Sequence, residues 1–481
     1  MRRWVLAGVS LMMVLCGLGI GGVTWLIQSQ FANTVGKVDF DRPLAVPPLA
    51  PSTVDAQGRR VFNLTAGFGQ SDFGHGRTET WGYNGKYLGP TLRATRGEQV
   101  LVNVHNGLAE DTTVHWHGMH LPARMDGGPA EPIAPGDTWS PTWKIDQPAA
   151  TLWYHPHPHE TTENQVYNGL AGLFIVDDPA TDVAALPHRY GVDDIPVIVQ
   201  DKKFDGDGDF DRGHGIFSDI GVLGDTLLVN GTAGPYQTVT TQRVRLRLLN
   251  ASTARLYDFG FADGRSFDLV GTDGGLLSAP YAMKKIKLSV GERADVVVQL
   301  KPGERVTLRS FRTGPDWTNG GRDEFDVLQL RAAAELKPSP AVPDRLVDVP
   351  RLDPASAAQE RDFTFRGRRI NGHKMAMNRV DAVVTRGTTE IWAVHNGHDT
   401  PHSFHLHDVQ FQVLSVDGGQ PPGELAGWKD TIFLPPHEEI RVIARFADYA
   451  DPTTAYMFHC HVLMHEDEGM MGRFIVVDPD R

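Results

Sequence analysis

The sequence predicts an all-β protein of three related β-sandwich domains, and three observations carry that reading. Glycine (51) and proline (32) are abundant and the hydrophobic runs between them are short, as many brief strands joined by turns require. At 481 residues the chain exceeds what one hydrophobic core usually supports, which favours about three domains of ordinary size. The third observation is self-similarity. The segment from Arg96-Gly97 to Val104-His105-Asn106 matches Arg386-Gly387 to Val394-His395-Asn396 at an offset of 290 residues. A middle copy shows in Leu248-Leu249-Asn250 and in Phe267 to Gly275, which parallels Phe411 to Gly419 at an offset of 144.

The elements follow in order. Arg2-Arg3 precede an apolar stretch from Trp4 to Ile27, so residues 1–30 are an export segment. Its length suits both a cleaved signal and a retained membrane anchor, and the arginine pair fits a twin-arginine signal as well as a plain positive flank. Either way the body is expected on the periplasmic or extracellular side. Residues 31–57, with Pro43, Pro47, Pro48 and Pro51, predict an extended tether. The first sandwich is expected over 58–178, closing at Asp177-Asp178-Pro179, and the second over 179–334. A Pro-rich linker over 335–356 leads to the third, 357–481. Val100-Leu101-Val102-Asn103-Val104 reads as a strand, and Arg243 to Leu248 alternates strictly between charged and apolar residues.

Net charge is −13 with no basic tract beyond the N-terminus, which excludes a nucleic-acid partner and gives an acidic, solubilising surface. The two cysteines are Cys16, inside the export segment, and Cys460, so the exported body has no structural disulfide. A lone thiol in an exported protein needs a chemical reason.

The repeat supplies one. It carries His115-Trp116-His117 onto His405-Leu406-His407, and His155-Pro156-His157 corresponds to His459-Cys460-His461. In a strand, one intervening residue puts two imidazoles on the same face about 7 Å apart, within reach of neighbouring metal ions. Four such pairs supply eight imidazoles able to converge where two domains meet, and imidazole suits copper, zinc and iron alike. The middle copy has Phe259-Gly260-Phe261 at the equivalent place. A second constellation, His402, Cys460, His465 and Met470, is the blue-copper donor set of two imidazoles, a thiolate and a weak axial thioether. As a metal ligand the lone cysteine is held as thiolate. His459 and His461 flank it, so ions bound by those histidines would be wired to the blue site through the cysteine backbone.

On these motifs, His115-Trp116-His117-Gly118, His155-Pro156-His157, His402-Ser403-Phe404-His405-Leu406-His407 and the run from His459 to Met470, the chain resembles the three-domain multicopper oxidases. The resemblance is to their bacterial copper-efflux oxidase and laccase-like branch, and covers essentially everything after residue 55. It implies cupredoxin-like Greek-key domains and four copper ions. By position, His402, Cys460, His465 and Met470 would hold type 1 copper, and His115 and His405 type 2. His117, His155, His157, His407, His459 and His461 would hold the type 3 pair. The implied activity couples four one-electron oxidations of a small reducing substrate to reduction of O2 to two waters.

That reaction consumes protons. Asp126 and Glu466 match acidic positions the family uses to deliver them, although Asp126 before Gly127-Gly128 also reads as a turn former. The motifs give His120, His159, His395 and His398 no role, with His159 expected nearest the cluster. Asp205 to Asp211 lacks the glutamate that ends a calcium loop and is expected to be a solvated hairpin. Relatives that oxidise Cu(I) carry a methionine-rich insertion, with acidic and methionine residues before the first ligand of the His402 motif. Here residues 351–366 contain no methionine, Asp399 is the only nearby carboxylate, and Ser403 replaces the usual proline. These departures imply a more open site and a phenolic, laccase-like donor, with oxidation of Cu(I), Fe(II) or Mn(II) in copper tolerance as the alternative. Some relatives keep the fold without copper and act in the cell envelope, so a non-enzymatic scaffold or copper-binding protein is the reading of another class.

Overall fold

The computed structural model describes residues 31–181, 186–214, 218–314 and 319–479; the expected export segment, with Cys16, lies outside them. Strands among the described residues form six sheets that pair as three sandwiches in chain order. Each encloses its own apolar core, around Phe62 and Trp116, around Phe259 and Leu328, and around Trp392 and Phe458.

The three sandwiches share a connection pattern. In one sheet of each, two strands run parallel: Arg60–Asp72 with Gln99–Asn106, Asp194–Lys202 with Arg243–Asn250, and Ala357–Arg366 with Thr388–Asn396. In the facing sheet the closing strand also runs parallel to an earlier one: Gly172–Asp177 with Leu92–Thr95, Phe325–Lys337 with Pro235–Thr241, and Met471–Val477 with Ala382–Thr385. Parallel pairs among mostly antiparallel neighbours require crossovers between sheets, which is the Greek-key arrangement.

The repeated asparagine has a shared function. Asn106 Nδ2 donates to the carbonyls of Glu110 and Ile133, Asn250 Nδ2 to those of Arg255 and Leu288, and Asn396 Nδ2 to those of Thr400 and Leu434. Each Oδ1 accepts from the amide two residues on. The buried amide thus satisfies loop groups that no strand partner reaches, and ties the strand end to the segment that follows. In the outer sandwiches that segment leads to a histidine pair, and in the middle one to Phe259 and Phe261, both in its core.

Along Arg60–Asp72, Phe62, Leu64 and Ala66 point inward while Asn63 and Thr65 face out, the half-buried pattern alternation predicts. Arg243–Asn250 departs from it, being buried on both faces over most of its length. Its polar face meets the first sandwich instead of water. Arg245 pairs with Asp295, Arg247 with Asp194, and Arg247 Nη1 donates to Thr151 Oγ1 across the domain boundary at 2.6 Å. Buried guanidinium groups need such partners.

Residues ahead of the first sandwich lie along the second. Arg42–Pro43 pairs with Pro235–Thr241, and Ser52–Val54 then joins the first sandwich beside Arg60–Asp72. Residues 338–353 form no strand and pass Ser278 and Gln412 on the way to the third sandwich. Asp205 to Asp211 is a hairpin closed by Phe204 and Phe210, with Asp205, Asp207 and Asp209 exposed and Gly208 held by the Thr78 hydroxyl of the first sandwich. Among the described residues no helix is long and apolar enough to cross a membrane.

Candidate metal centre

Strand register sets the histidines against one another. His115 and His155 exchange main-chain hydrogen bonds, and His405 lies opposite His459 in the same antiparallel sense. Each outer sandwich therefore presents its two pairs side by side, with ring centroids 5.6, 6.3, 4.9 and 5.5 Å apart within the pairs His115/His117, His155/His157, His405/His407 and His459/His461. Alternation sends the intervening residues the other way, Trp116 into the first core and Leu406 and Cys460 into the third. All eight imidazoles are at most 1% exposed. They meet across the boundary between the outer sandwiches. His115 Nε2 is 3.5 Å from His405 Nε2, His117 Nδ1 is 3.2 Å from His461 Nε2, and the rings of His117 and His405 stack at 3.8 Å.

The chemistry of these contacts tests whether a metal fits. Nδ1 of His115, His155, His405 and His459 each lies 2.8 to 3.1 Å from a backbone carbonyl. A carbonyl only accepts, so Nδ1–H donates and Nε2 keeps its lone pair, an assignment resting on these partners. His407 Nδ1 donates likewise to Asp126 Oδ2 at 2.7 Å. Burial holds His117, His155, His405, His407 and His459 well below the ordinary imidazole range and takes His461 down to about 4, so the rings are neutral. Lone pair therefore faces lone pair across 3.1 Å between His407 and His459, with no proton to share. That arrangement is repulsive unless a cation lies among the nitrogens. Four donor groups of the cluster are close enough to hold one: His115 with His405 and His407, His115 with His117 and His155, His157 with His407 and His459, and His117 with His405 and Asp430. Neutral imidazole is a good donor to copper, and the residues fit it.

A second centre adjoins the first. The short helix Leu463–Asp467 returns His465 to Cys460, and Cys460 N donates to the carbonyl of Met470 at 3.1 Å. His402 Nδ1 and His465 Nδ1 are 3.2 Å apart, and Cys460 Sγ lies 3.4 and 3.5 Å from them. Met470 is fully buried in the same core cluster as Cys460. Burial pushes the thiol up to about 12, so a cation must replace its proton for it to become thiolate. The two imidazoles differ at their outer edge. His465 Nε2 donates to the carbonyl of Asp219 at 2.7 Å, whereas His402 Nε2 has no partner among the described residues. His402 borders a cavity of about 270 Å³ lined by Ile220, Leu256, Val290, Phe433 and Pro435 among others, with no carboxylate or methionine among its described lining residues.

Both predicted carboxylates lie at the histidine cluster. Asp126 follows the 3-10 turn Ala123–Met125, and besides the bond to His407 its Oδ1 is 3.3 Å from His115 Nδ1. It is also a turn residue. Gly127 has φ +78° and a Cβ there would fall 1.8 Å from the Val114 carbonyl oxygen, so only glycine can follow. Glu466 Oε1 is 2.9 Å from His157 Nδ1 and Oε2 is 3.3 Å from His459 Nδ1. Burial opposes its charge, yet His157, whose own imidazole Glu466 holds above the ordinary range, outweighs burial and holds the carboxyl well below the usual range.

Other expectations come out differently. His159 is not at the cluster: its side chain is 41% exposed and pairs with Glu160. Asp399 is 91% exposed beside His437. Ser403 is buried at the wall of the cavity beside His402, its hydroxyl donating to the Val290 carbonyl at 2.9 Å. Sequence reasoning missed Asp430, whose Oδ1 is 3.0 Å from His117 Nε2. The charged run Lys429-Asp430 opening the apolar strand Thr431–Leu434 was its only signal.

The family described as multicopper oxidase matches residues 68–181, 206–319 and 345–480. The chain is 36% identical over 440 residues to the multicopper oxidase mco of Staphylococcus haemolyticus, spanning 90% of this chain and 92% of that protein. It is 36% identical over 458 residues to the cell division protein FtsP of Salmonella typhimurium, spanning 92% and 94%. A solved structure of the laccase-like multi-copper oxidase CueO from Ochrobactrum sp., described as having oxidase activity towards lignin model compounds and lignosulfonate, aligns with a TM-score of 0.83. Its identity is 36%, over 90% of this chain and 100% of that one.

Proposed function

The chain belongs to the multicopper oxidase family, and on that premise we propose that it oxidises phenolic donors at the expense of dioxygen, in the proportion of four phenols to one O2. Four phenols each lose one electron and one proton, and one O2 takes up four of each to give two waters. The carrying observation is the convergence of four histidine pairs from the outer sandwiches, with Cys460 set inside one pair and turned to the opposite face.

We assign four coppers. His402, Cys460, His465 and Met470 would hold the blue one, His115 and His405 the type 2 ion, and His117, His155, His157, His407, His459 and His461 the type 3 pair. Bound copper supplies one-electron redox carriers at the first site and a place for dioxygen to accept electrons at the second. The remaining work falls to the chain. His402 forms part of the wall of the apolar cavity where a donor would sit, and Cys460 links covalently to His459 and His461, which gives the electron a short bonded path. Glu466 accepts and passes protons at Oε1 beside His157, and Asp126 does so at Oδ1, an atom with no hydrogen-bond partner among the described residues.

An apolar cavity favours an aromatic donor over a metal ion, which would call for carboxylates or thioethers along the wall. Oxidation of lignin model compounds by the Ochrobactrum protein supports the same class. The similarity to a cell division protein raises a scaffold reading, against which the complete donor set stands. Arg2-Arg3 and the apolar stretch behind them support export, as a cleaved signal or an anchor.

The test is oxygen uptake by purified, copper-loaded protein offered 2,6-dimethoxyphenol, Cu(I) or Fe(II) in turn. We expect one O2 consumed per four phenols, and kcat/KM for the phenol above that for either ion. No uptake at full copper loading removes the oxidase reading, and a higher kcat/KM for Cu(I) or Fe(II) replaces the phenol with a metal-ion donor.

A further inference from the structure

The middle sandwich carries none of the paired histidines, yet its turn from Ser289 to Arg293 reaches the cluster. Gly291 has φ +88°, and a Cβ there would lie 3.2 Å from ring carbons of both His117 and His461. Arg293, two residues on, is fully buried. Its Nη1 and Nη2 donate to Asp430 Oδ1 and Oδ2, each at 2.7 Å, a two-pronged bond from the second sandwich to the third. Its remaining donors are also fixed, Nε on the Thr151 carbonyl of the first sandwich at 3.0 Å and further bonds to the carbonyls of Gly291 and Asp273, both at 3.1 Å. The guanidinium is saturated and has no other place to go.

Asp430 passes that constraint to the cluster. Its Oδ1 accepts from Thr431 Oγ1 at 2.8 Å and lies 3.0 Å from His117 Nε2, and the same Thr431 hydroxyl, so fixed, lies 2.9 Å from His117 Nε2. His117 is thereby distinguished from its neighbours. His115, His155, His405, His407 and His459 bond outward through Nδ1 and present Nε2, whereas His117 bonds outward through Nε2 and presents Nδ1. The fit leaves no slack, since a Cβ at Gly118 would lie 2.6 Å from Asp430 Oδ2 and 2.7 Å from Arg293 Nη2. Lys429, bonded to Asp273 and Glu292 at 2.9 Å each, offsets part of the remaining buried negative charge.

We propose that Arg293 and Asp430 are positioning residues for the cluster: the middle sandwich pins Asp430, and Asp430 holds His117 in the one tautomer and orientation that turns Nδ1 toward the metals. A domain without ligands thus determines how a ligand of the first is aimed at ions shared with the third. The inference rests on the copper reading above.

The test is graded removal of copper by a chelator from wild type, Asp430→Asn and Arg293→Met, with cluster copper followed by metal content and blue-site copper by visible absorbance. Loss of such an outer partner typically weakens metal binding ~10–100-fold, so cluster copper is expected to leave at correspondingly lower chelator while the blue band persists. Arg293→Lys, which keeps the charge but not the two-pronged geometry, is expected to fall between. Cluster copper as tightly held as in wild type overturns the proposal, as does parallel loss of blue and cluster copper, the sign of general loosening. If Asp430→Asn does not accumulate folded protein, Arg293→Lys carries the test alone, and cluster copper released there as in wild type overturns the proposal equally. Wild type that holds no copper in the histidine nest removes the copper reading itself, a result distinct from any of these.

Discussion

Cys460 joins two opposed faces of one strand: its sulfur meets His402 and His465 in the third core, and the residues on either side of it face the first sandwich. Replacing that sulfur separates the two centres chemically without disturbing the backbone. Cys460→Ser is expected to lose the Cu-thiolate absorption at about 600 nm and all turnover with phenols. Stability should fall by only about 1–3 kcal/mol, the cost of a buried hydroxyl in an apolar site, which a melting curve of the copper-free protein would read. Glu466→Gln addresses the other centre. It leaves the blue site intact, so anaerobic bleaching of the band by a phenol should proceed at the wild-type rate. Oxygen uptake should drop ~10²–10⁴-fold, the usual contribution of a positioned proton donor. Equal slowing of both steps would show that Glu466 acts on the whole site and not on proton supply.

The turn Asp126-Gly127-Gly128 shows one element serving two ends. Its backbone requires glycine at 127, and its acid bonds to His407. Gly127→Ala is therefore expected to impair oxygen uptake much as Asp126→Asn does, and in addition to lower stability by about 1–3 kcal/mol, since a positive φ and a clash combine. Unchanged stability with full activity would contradict the stated role of the turn. At this scale the sequence was legible wherever a feature recurred. The histidine pairs, the three asparagines and the phenylalanine substitution in the middle copy stood out because duplication preserved their spacing. The face of Arg243–Asn250 was not legible, since alternation cannot tell water from an opposing aspartate. Nor was the link from Arg293 to Asp430, whose members belong to different domains and have no repeat counterpart. His159 misled for the opposite reason, being close in sequence to His157 but past the turn that leads to the surface.

Domain docking depends on buried charge, and this gives the molecule a pH dependence outside the metal centres. Lys202 of the middle sandwich donates to the Tyr167 carbonyl of the first at 2.6 Å and lies 4.1 Å from the Tyr167 ring centre. Burial takes its ammonium down to about 7, against the pull of Asp201. The unfolded chain, with an ordinary lysine near 10.4, then holds more protons between pH 7 and 10, so this residue's contribution to stability rises with pH by up to about 1.4 kcal/mol per unit. Lys202→Met removes that slope. Relative to wild type the variant should be most favourable near pH 7 and lose ground steadily toward pH 10 in denaturant titrations, and parallel curves would refute the assignment.

The whole account requires the outer sandwiches to enclose three ions and the third sandwich to hold a fourth beside Cys460. Anomalous scattering at the copper edge, from crystals of the copper-loaded protein, locates them directly. Three peaks among the eight paired imidazoles and one between His402, Cys460 and His465 are expected. Copper bound only at Cys460, or only outside the histidine nest, would contradict the account.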